Sequence, residues 1–297
     1  MAEENDTIEH NRQSLDNLHL NDKQECTAAE HKLDQGSSQT SLLREKPPNI
    51  ILCDAWYGFP SQKRPRKERI CAVSRQLVNF LTWRLEYKPN FPRNAYDCQV
   101  HLLGKDLDVR AVRDRIHDIV AEKFTTSSRE YDNEIIFKPN VDVCEATQQV
   151  KNECKDENFE VVYLSPDASD TLSLLSPPPP VVIVGMLIDR RITSDRSRKR
   201  AEESLNMRAV KLPLNELNAR EISSEEPLNV DTVMEIMQRW WFNCDKLENQ
   251  LFARDDQGEV VKNDACEDEY KKCFIDAASW ALKSHRERHP NRTVHKT

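Results

Sequence analysis

Apolar residues along this chain occur in two kinds of stretch that follow one another repeatedly. Short runs rich in valine, isoleucine and leucine predict buried strands, and they lie at residues 49–54, 96–103, 159–164 and 181–189. Longer stretches carry an apolar residue every three or four positions, which predicts helices. These helices lie at residues 67–85, 109–120, 229–241 and 268–284. Strands that alternate with helices predict an α/β fold with a mostly parallel sheet.

Shorter stretches complete the predicted order of elements. Residues 134–138 predict a strand that a short helix follows, and residues 168–175 predict a short helix. Residues 194–205 predict a polar, basic helix, and residues 207–214 predict a short strand with a loop. The four prolines at 177–180 predict a rigid, extended spacer between two elements, with a site for a proline-binding module as the alternative.

The run Val181–Asp189 is the stretch around which the other elements are arranged. It is too short to span a bilayer and begins with four β-branched residues, so it predicts a fully buried strand. In open parallel sheets, ligands bind beyond the carboxyl ends of the strands. We therefore expect Gly185, which lets a ligand approach the backbone, and Asp189, which carries a charge, to lie at a functional site. For Asp189, the N-cap of a following helix is the alternative role.

The composition predicts one folded domain with polar ends. The chain has 297 residues, a formal net charge of -8 and 38% hydrophobic residues. Residues 1–48 contain ten acidic and five basic residues and no aromatic residue, which predicts a disordered acidic arm. We predict a folded domain at residues 49–290, with its core at 49–254, and a basic tail at 291–297.

Location and metal content follow from a few further features. No run of 18 apolar residues exists, so we expect no membrane span. The acidic N-terminus differs from a secretory or mitochondrial presequence, which favours the cytoplasm or nucleus, with the mitochondrion as the alternative. The nine cysteines include no Cys-x-x-Cys pair, so we expect free thiols and no metal site.

Basic residues are concentrated in two short segments although the chain as a whole is acidic. The first segment contains Lys63, Arg64 and Arg66, and the second contains Arg190 and Arg191, directly after Asp189. Fixed charges act on phosphates within about 8 Å at physiological salt, so local clusters matter more than net charge. The two clusters therefore predict RNA phosphate contacts, with solvated helix faces as the alternative.

Four motifs occur in order along the chain, Val162-Tyr163-Leu164-Ser165, Ile183-Val184-Gly185-Met186-Leu187-Ile188-Asp189, Lys211-Leu212-Pro213-Leu214 and Leu228-Asn229-Val230. In order and spacing they resemble the tRNA N1-methyltransferases that act on the purine at position 9. That family has a Tyr-Leu-Thr/Ser strand end, an Ile-Gly-Gly-x-Val-Asp strand end, an Arg-Leu-Pro-Ile segment and a Leu-Thr-Val-Asn-x-Val helix start. The corresponding residues here are 162–168, 183–189, 211–214 and 228–233. The opening strand at 50–56 and the helix with Ser74-Arg75-Gln76-Leu77 resemble that family as well.

The resemblance implies a SPOUT-type α/β fold: a mostly parallel sheet with a C-terminal trefoil knot that binds S-adenosylmethionine. The implied cofactor pocket is formed by three loops, at the ends of two strands and before a helix. Backbone amides and carbonyls there suit the polar edges of the cofactor, and leucines suit its adenine ring. The implied cofactor-binding residues are Leu164, Ser165, Gly185, Met186, Leu212, Pro213, Leu214, Leu228 and Asn229.

The resemblance also implies that Asp189 faces the target base. Guanine N1 carries a proton that must be lost, so a carboxylate within hydrogen-bond reach is a plausible general base. Adenine N1 has a free lone pair and needs no base, so Asp189 would then only orient it. We expect guanine as the substrate base.

Two departures from the family pattern bear on the choice of function. Gly185-Met186 stands where the family has Gly-Gly, and Arg191 stands where an Asn often follows. This version resembles the branch that serves as a subunit of protein-only mitochondrial RNase P. The prediction is therefore a tRNA methyltransferase that acts as a monomer, or with RNase P partner proteins if mitochondrial. The alternative is a catalytically silent tRNA-binding scaffold in tRNA 5′ processing.

Overall fold

A computed structural model gives the fold of the central part of the chain. It describes residues 48–56, 59–87, 98–123, 131, 133–154, 159–187, 195–217, 228–251 and 267–288. The predicted basic tail and, except for Pro48, the predicted acidic arm lie outside these residues.

The described strands form one sheet of seven, in the order β3-β2-β1-β6-β4-β7-β5. Every pairing between them is parallel, which confirms the predicted α/β class. The strands are β1 (Ile50–Asp54), β2 (Gln99–Gly104), β3 (Ile136–Pro139), β4 (Val161–Leu164), β5 (Asp170–Thr171), β6 (Val181–Gly185) and β7 (Ala209–Lys211). Because β6 lies between β1 and β4, the predicted central strand is central in space.

Helices connect the strands and cover the sheet. They are α1 (Lys63–Tyr87), α2 (Asp106–Lys123), α3 (Val143–Cys154), α4 (Arg196–Lys199), α5 (Val230–Leu251) and α6 (Glu267–Arg288). A π-helical turn, Arg200–Ser204, continues α4, and a 3-10 turn, Leu214–Glu216, follows β7. Within the described ranges, no helix is long and apolar enough to cross a membrane.

Helix α1 begins four residues before the position that its apolar spacing predicts. Its first turn contains Pro65, which is tolerated there because the first backbone N–H groups of a helix have no partner inside it. The backbone N–H of Arg66 already donates to the Gln62 carbonyl, at 3.0 Å. Lys63, Arg64 and Arg66 therefore lie on a helix and not in the loop before it.

The helix predicted at residues 168–175 is wrong, because the segment contains the edge strand β5. Asp170 pairs with Val210, and the Leu172 N–H donates to the Lys211 carbonyl, at 3.0 Å. A helix of two turns is marginal by itself. Pairing with β7 supplies the segment with hydrogen bonds to another element instead.

The central strand is shorter than its apolar run. Strand β6 ends at Gly185, and Met186 and Leu187 follow it without regular structure. The helix predicted at 194–205 is likewise interrupted, because it changes from α-helical to π-helical geometry at Arg200. Residues 188–194, between these two elements, lie outside the described residues.

The buried apolar residues form two clusters, and alternate residues of the central strands contribute to different ones. In β6, Val182 and Val184 belong to a main cluster, which also contains residues of α1, α2, α5 and α6. Val181 and Ile183 belong to a second cluster, together with residues of α3. The sheet is therefore covered by apolar packing on both faces, as parallel sheets generally are.

Candidate cofactor and RNA site

Four apolar residues of the implied cofactor pocket lie at or just beyond the carboxyl ends of strands. Leu164 ends β4, Met186 follows β6, and Leu212 and Leu214 follow β7. Leu164 and Met186 belong to the main cluster, and Leu212, Leu214 and Leu228 are partly buried against it. Because parallel strands end at the same edge, residues far apart in sequence form one apolar surface there.

Gly185 and Met186 lie where β6 ends beside β1. Gly185 pairs with Asp54 in register, and the Met186 N–H donates to the Asp54 carbonyl, at 2.9 Å. Gly185 is half-buried, whereas the Met186 side chain is fully buried in the main cluster. The methionine at the second position of the Gly-Gly motif therefore packs into the core.

The loop after β4 is connected to the start of α4 by side-chain hydrogen bonds. The hydroxyl oxygens of Ser165 and Ser197 are 2.8 Å apart. The Asp167 carboxylate accepts the backbone N–H of Asp195, at 2.8 Å. Asp195 has a positive φ of 63°, an uncommon conformation for a residue with a side chain. These contacts fix the loop after β4 against the start of α4.

The third predicted pocket segment is a tight turn followed by a helix start. The Leu214 N–H donates to the Leu212 carbonyl across the buried Pro213, at 2.8 Å. At the start of α5, the Val230 N–H donates to the Gln76 side-chain oxygen, at 2.8 Å. Asn229 accepts the Val233 N–H with its carbonyl, at 3.1 Å. The leucines of all three segments and Met186 thus contact the main cluster, and α1 contacts α5.

The sequence did not single out Asp54, a fully buried acid at the carboxyl end of β1. Its carboxylate is fully buried and accepts bonds from Arg200 Nε at 3.1 Å, Tyr163 Oη at 3.3 Å and the Trp56 N–H at 3.1 Å. Burial raises the pKa of Asp54, and the Arg200 charge opposes that rise. The available signal was an acid that ends an apolar strand.

Of the charged residues predicted to contact the target base or RNA phosphates, some lie outside the described residues and the others differ in exposure and pairing. Asp189, Arg190 and Arg191 lie outside the described residues. Arg66 is bound to the Asp108 carboxylate, with Nε at 2.9 Å and Nη2 at 2.6 Å. Arg64 has only a longer bond to Glu68, at 3.3 Å, and 91% of its side chain is exposed. Lys63 is also exposed, so Lys63 and Arg64 are both accessible at the start of α1.

Metal ligands and thiols can be assessed over the described ranges only. In those ranges, no group of three or more His, Cys, Asp or Glu side chains could hold a metal ion. The cysteines within them are free thiols, and these are Cys53, Cys71, Cys98, Cys144, Cys154, Cys244 and Cys273. Two of the nine, Cys26 and Cys266, lie outside the described residues.

Comparison with known proteins agrees with the motifs. A family model described as tRNA (guanine(9)-N(1))-methyltransferase TRM10/TRM10A matches residues 107–253, about half of the chain. The chain belongs to this family of tRNA (guanine(9)-N(1))-methyltransferases. The matched residues extend from α2 to α5. They include all nine implied cofactor-binding residues and Asp189.

The solved structures to which this chain is similar share little sequence with it. The crystal structure of spTrm10(74) has 15% identity and a TM-score of 0.45, covering 78% of this chain and 95% of that one. The spTrm10(Full length)-SAH complex has 15% identity and a TM-score of 0.41, covering 78% and 96%. A dual specific Trm10 from Thermococcus kodakaraensis has 13% identity and a TM-score of 0.38, covering 65% and 90%. No curated protein sequence matches this chain significantly.

Proposed function

We propose that this chain transfers the methyl group of S-adenosylmethionine to N1 of the purine at position 9 of tRNA, with guanine as the substrate base. The observation that carries the proposal is the family match over residues 107–253. That range contains the carboxyl ends of β4, β6 and β7 and the start of α5. These are the segments to which the motifs assign the cofactor.

The residues present fit an adenosine-containing cofactor. Half-buried Leu212, Leu214 and Leu228 pack on the main cluster and leave part of their apolar surface uncovered, as a planar ring requires. Gly185 is half-buried and brings no side chain between the backbone and a ligand. When bound, S-adenosylmethionine supplies an electrophilic methyl group on sulfonium.

We assign Asp189 as the group that accepts the N1 proton of guanine. Three residues separate it from Gly185, so it follows the pocket directly along the chain. A carboxylate lowers the barrier to attack by removing the proton as the new N–C bond forms. With adenine, the same carboxylate would have no proton to accept. The choice of guanine and this role of Asp189 therefore stand or fall together.

For tRNA binding we propose the exposed cations at the start of α1 and those after Asp189. Lys63 and Arg64 project from the first turn of α1, which follows the carboxyl end of β1. The Arg66 guanidinium is bound to the Asp108 carboxylate, so we assign Arg66 a smaller contribution to tRNA binding. Arg190 and Arg191 would hold phosphates beside the target base. Phosphate contacts of this kind position a nucleic acid without reading its sequence.

We also propose a SPOUT fold with a C-terminal trefoil knot. The strand order supports it, because β6 lies between β1 and β4, which precede it in the chain. We place the enzyme in the cytoplasm or nucleus and propose that it acts as a monomer. RNase P partner proteins in the mitochondrion are the alternative. The solved spTrm10 relative that is complexed with SAH supports the choice of cofactor.

The test is methyl transfer to an unmodified tRNA. The purified chain is incubated with labelled S-adenosylmethionine and with tRNAs that differ only in guanine or adenine at position 9. We expect N1-methylguanine at position 9 by mass spectrometry, and loss of transfer in Asp189→Asn. The exposed Asp114→Asn in α2 is the matched control and should retain activity. Cofactor binding without transfer to either tRNA would favour the scaffold alternative.

A further inference from the structure

The N-terminus of α5 is held by a residue of α1. The first backbone N–H groups of a helix have no partner within the helix and commonly bond to the side chain that precedes it. Here the Val230 N–H donates to Gln76 Oε1 at 2.8 Å, across 154 residues of sequence. A side chain of α1 therefore fixes where α5 begins.

A second hydrogen bond joins the same two helices one residue further on. Asn79 Nδ2 donates to Asp231 Oδ2, at 3.2 Å, and the other carboxylate oxygen of Asp231 accepts the Thr232 N–H, at 3.0 Å. Asp231 is fully buried. Gln76 and Asn79 are three positions apart and so lie on one face of α1. Together they attach the first turn of α5 to α1 at two points.

This attachment lies directly beside the implied cofactor pocket. Leu228 and Asn229, the last two pocket residues, immediately precede the attached turn. Leu228 packs on the same apolar cluster as Leu212 and Leu214. A shift of the first turn of α5 would therefore move Leu228 relative to the leucines of the other pocket segment. The position of one pocket wall depends on a helix that contributes no residue to the motif-based pocket.

We propose that Gln76, Asn79 and Asp231 are positioning residues that join α1 to α5 and thereby hold the Leu228–Asn229 wall of the cofactor pocket in place. The inference rests on the proposed function, because it concerns the site that this function assigns to S-adenosylmethionine. The three residues act through the backbone of α5. We therefore expect their loss to weaken cofactor binding more than it slows transfer at saturating cofactor.

Calorimetric titration of S-adenosylmethionine into the full chain tests the proposal. Gln76→Ala and Asn79→Ala should each raise the Kd about tenfold, because one partly buried hydrogen bond left unmade corresponds to about tenfold in an equilibrium constant. In methylation assays, KM for the cofactor should rise with the Kd while kcat changes less than twofold, on the order expected for lost uniform binding. Asn243→Ala is the matched control, because its Nδ2 also donates from one helix to another, to the Cys273 carbonyl at 3.0 Å.

Exchanging the side chains of Asn79 and Asp231 distinguishes a positioning role from simple unfolding. Asn79→Asp alone places two carboxylates together and should raise the Kd for S-adenosylmethionine. Adding Asp231→Asn restores one donor and one acceptor, so the double variant should regain the wild-type Kd within about threefold, less than one hydrogen bond. If the alanine variant does not fold, this pair of variants carries the comparison.

The results distinguish a failure of the positioning role from a failure of the proposed function. If the α1 and α5 variants lose thermal stability as Asn243→Ala does but keep the wild-type Kd, the positioning role is wrong while the proposed function stands. If the double variant stays as weak as Asn79→Asp alone, the positioning role is wrong as well. A wild-type chain that does not bind S-adenosylmethionine overturns both.

Discussion

Arg200 and Asp54 form an ion pair, with Arg200 Nε 3.1 Å from Asp54 Oδ2, that joins the π-helical turn after α4 to the carboxyl end of β1. The Asp54 carbonyl also accepts the Met186 N–H, at 2.9 Å. Asp54 is fully buried, and 20% of the Arg200 side chain is exposed. One residue of β1 therefore anchors the chain on both sides of residues 187–199, which include Asp189.

We predict that Arg200→Met destabilises the fold by about 3 kcal/mol, because removing one partner leaves a buried carboxylate without its counter-charge. The free energy of unfolding at pH 7, from urea titration, gives the measurement. Arg198→Met is the control from the same helix. Its bond to Asp195 joins two partly exposed side chains, so it should cost less than about 1 kcal/mol. Equal effects of the two changes would contradict the importance of the buried pair.

The basic residues of α1 should differ in their effect on tRNA binding. Lys63→Ala and Arg64→Ala should each reduce the slope of log K against log salt by about 1, because each removes one phosphate contact. Arg66→Ala should change this slope less and lower stability instead, since it breaks the 2.6 Å bond to Asp108. Fluorescence anisotropy with labelled tRNA at several salt concentrations measures the slopes. An undiminished slope in the Lys63 and Arg64 variants would remove these residues from the RNA surface.

The parts of the fold that depend on regular local patterns could be predicted from the sequence. Strand β1, helix α2 and the central position of β6 each followed from one uninterrupted pattern of apolar residues. Strand β5 could not be predicted, because the two residues Asp170–Thr171 form a strand only by pairing with β7. The end of β6 at Gly185 was also missed. The apolar run continues beyond it because Met186 packs into the core without belonging to the strand.

The candidate site followed from sequence only where motifs resemble a family. The leucines of the pocket were named in this way, and the structure places them on one apolar cluster. The contacts between distant positions were not predictable, such as Gln76 with Val230 and Arg200 with Asp54. Hydrogen bonds of this kind have no periodic signal in the sequence. They exist only when the fold brings two elements together.

The Arg239 guanidinium of α5 contacts aromatic rings of two other helices, and we predict that its loss destabilises the fold. It lies over the Trp280 ring of α6, with Cζ 3.3 Å from the centroid, and over Trp83 of α1, at 4.7 Å. Its Nε is also 3.3 Å from the fully buried carboxylate of Glu235. Arg239→Ala should therefore cost about 3 kcal/mol in unfolding free energy.

Arg239→Lys tests whether the planar group matters as well as the charge. An ammonium keeps the charge but does not stack as a planar guanidinium does. This variant should recover at most about half of the roughly 3 kcal/mol lost in the alanine variant. Urea unfolding followed by tryptophan fluorescence measures all three proteins. Full recovery by lysine would show that the charge near Glu235 is sufficient and that ring stacking contributes nothing.

His101 makes the stability of the sheet depend on pH. It is buried in β2, with Nε2 3.0 Å from Gln99 Oε1. Burial, with a smaller effect from the charge of Lys138, lowers the pKa of His101 from 6.5 to about 4. Because the unfolded chain binds the proton more readily than the folded one, stability is fully present above pH 6.5 and is lost as the pH falls toward 4.

We therefore expect the wild-type chain to lose about 3 kcal/mol more than His101→Phe between pH 7 and pH 4. The phenylalanine keeps an aromatic ring in the strand but cannot titrate. Carboxylates that titrate in the same range occur in both proteins, so the difference between the two stability curves isolates His101. Urea unfolding at half-unit intervals of pH gives both curves. Parallel curves would mean that the pKa of His101 is the same in the folded and the unfolded chain, so that burial does not hold it neutral.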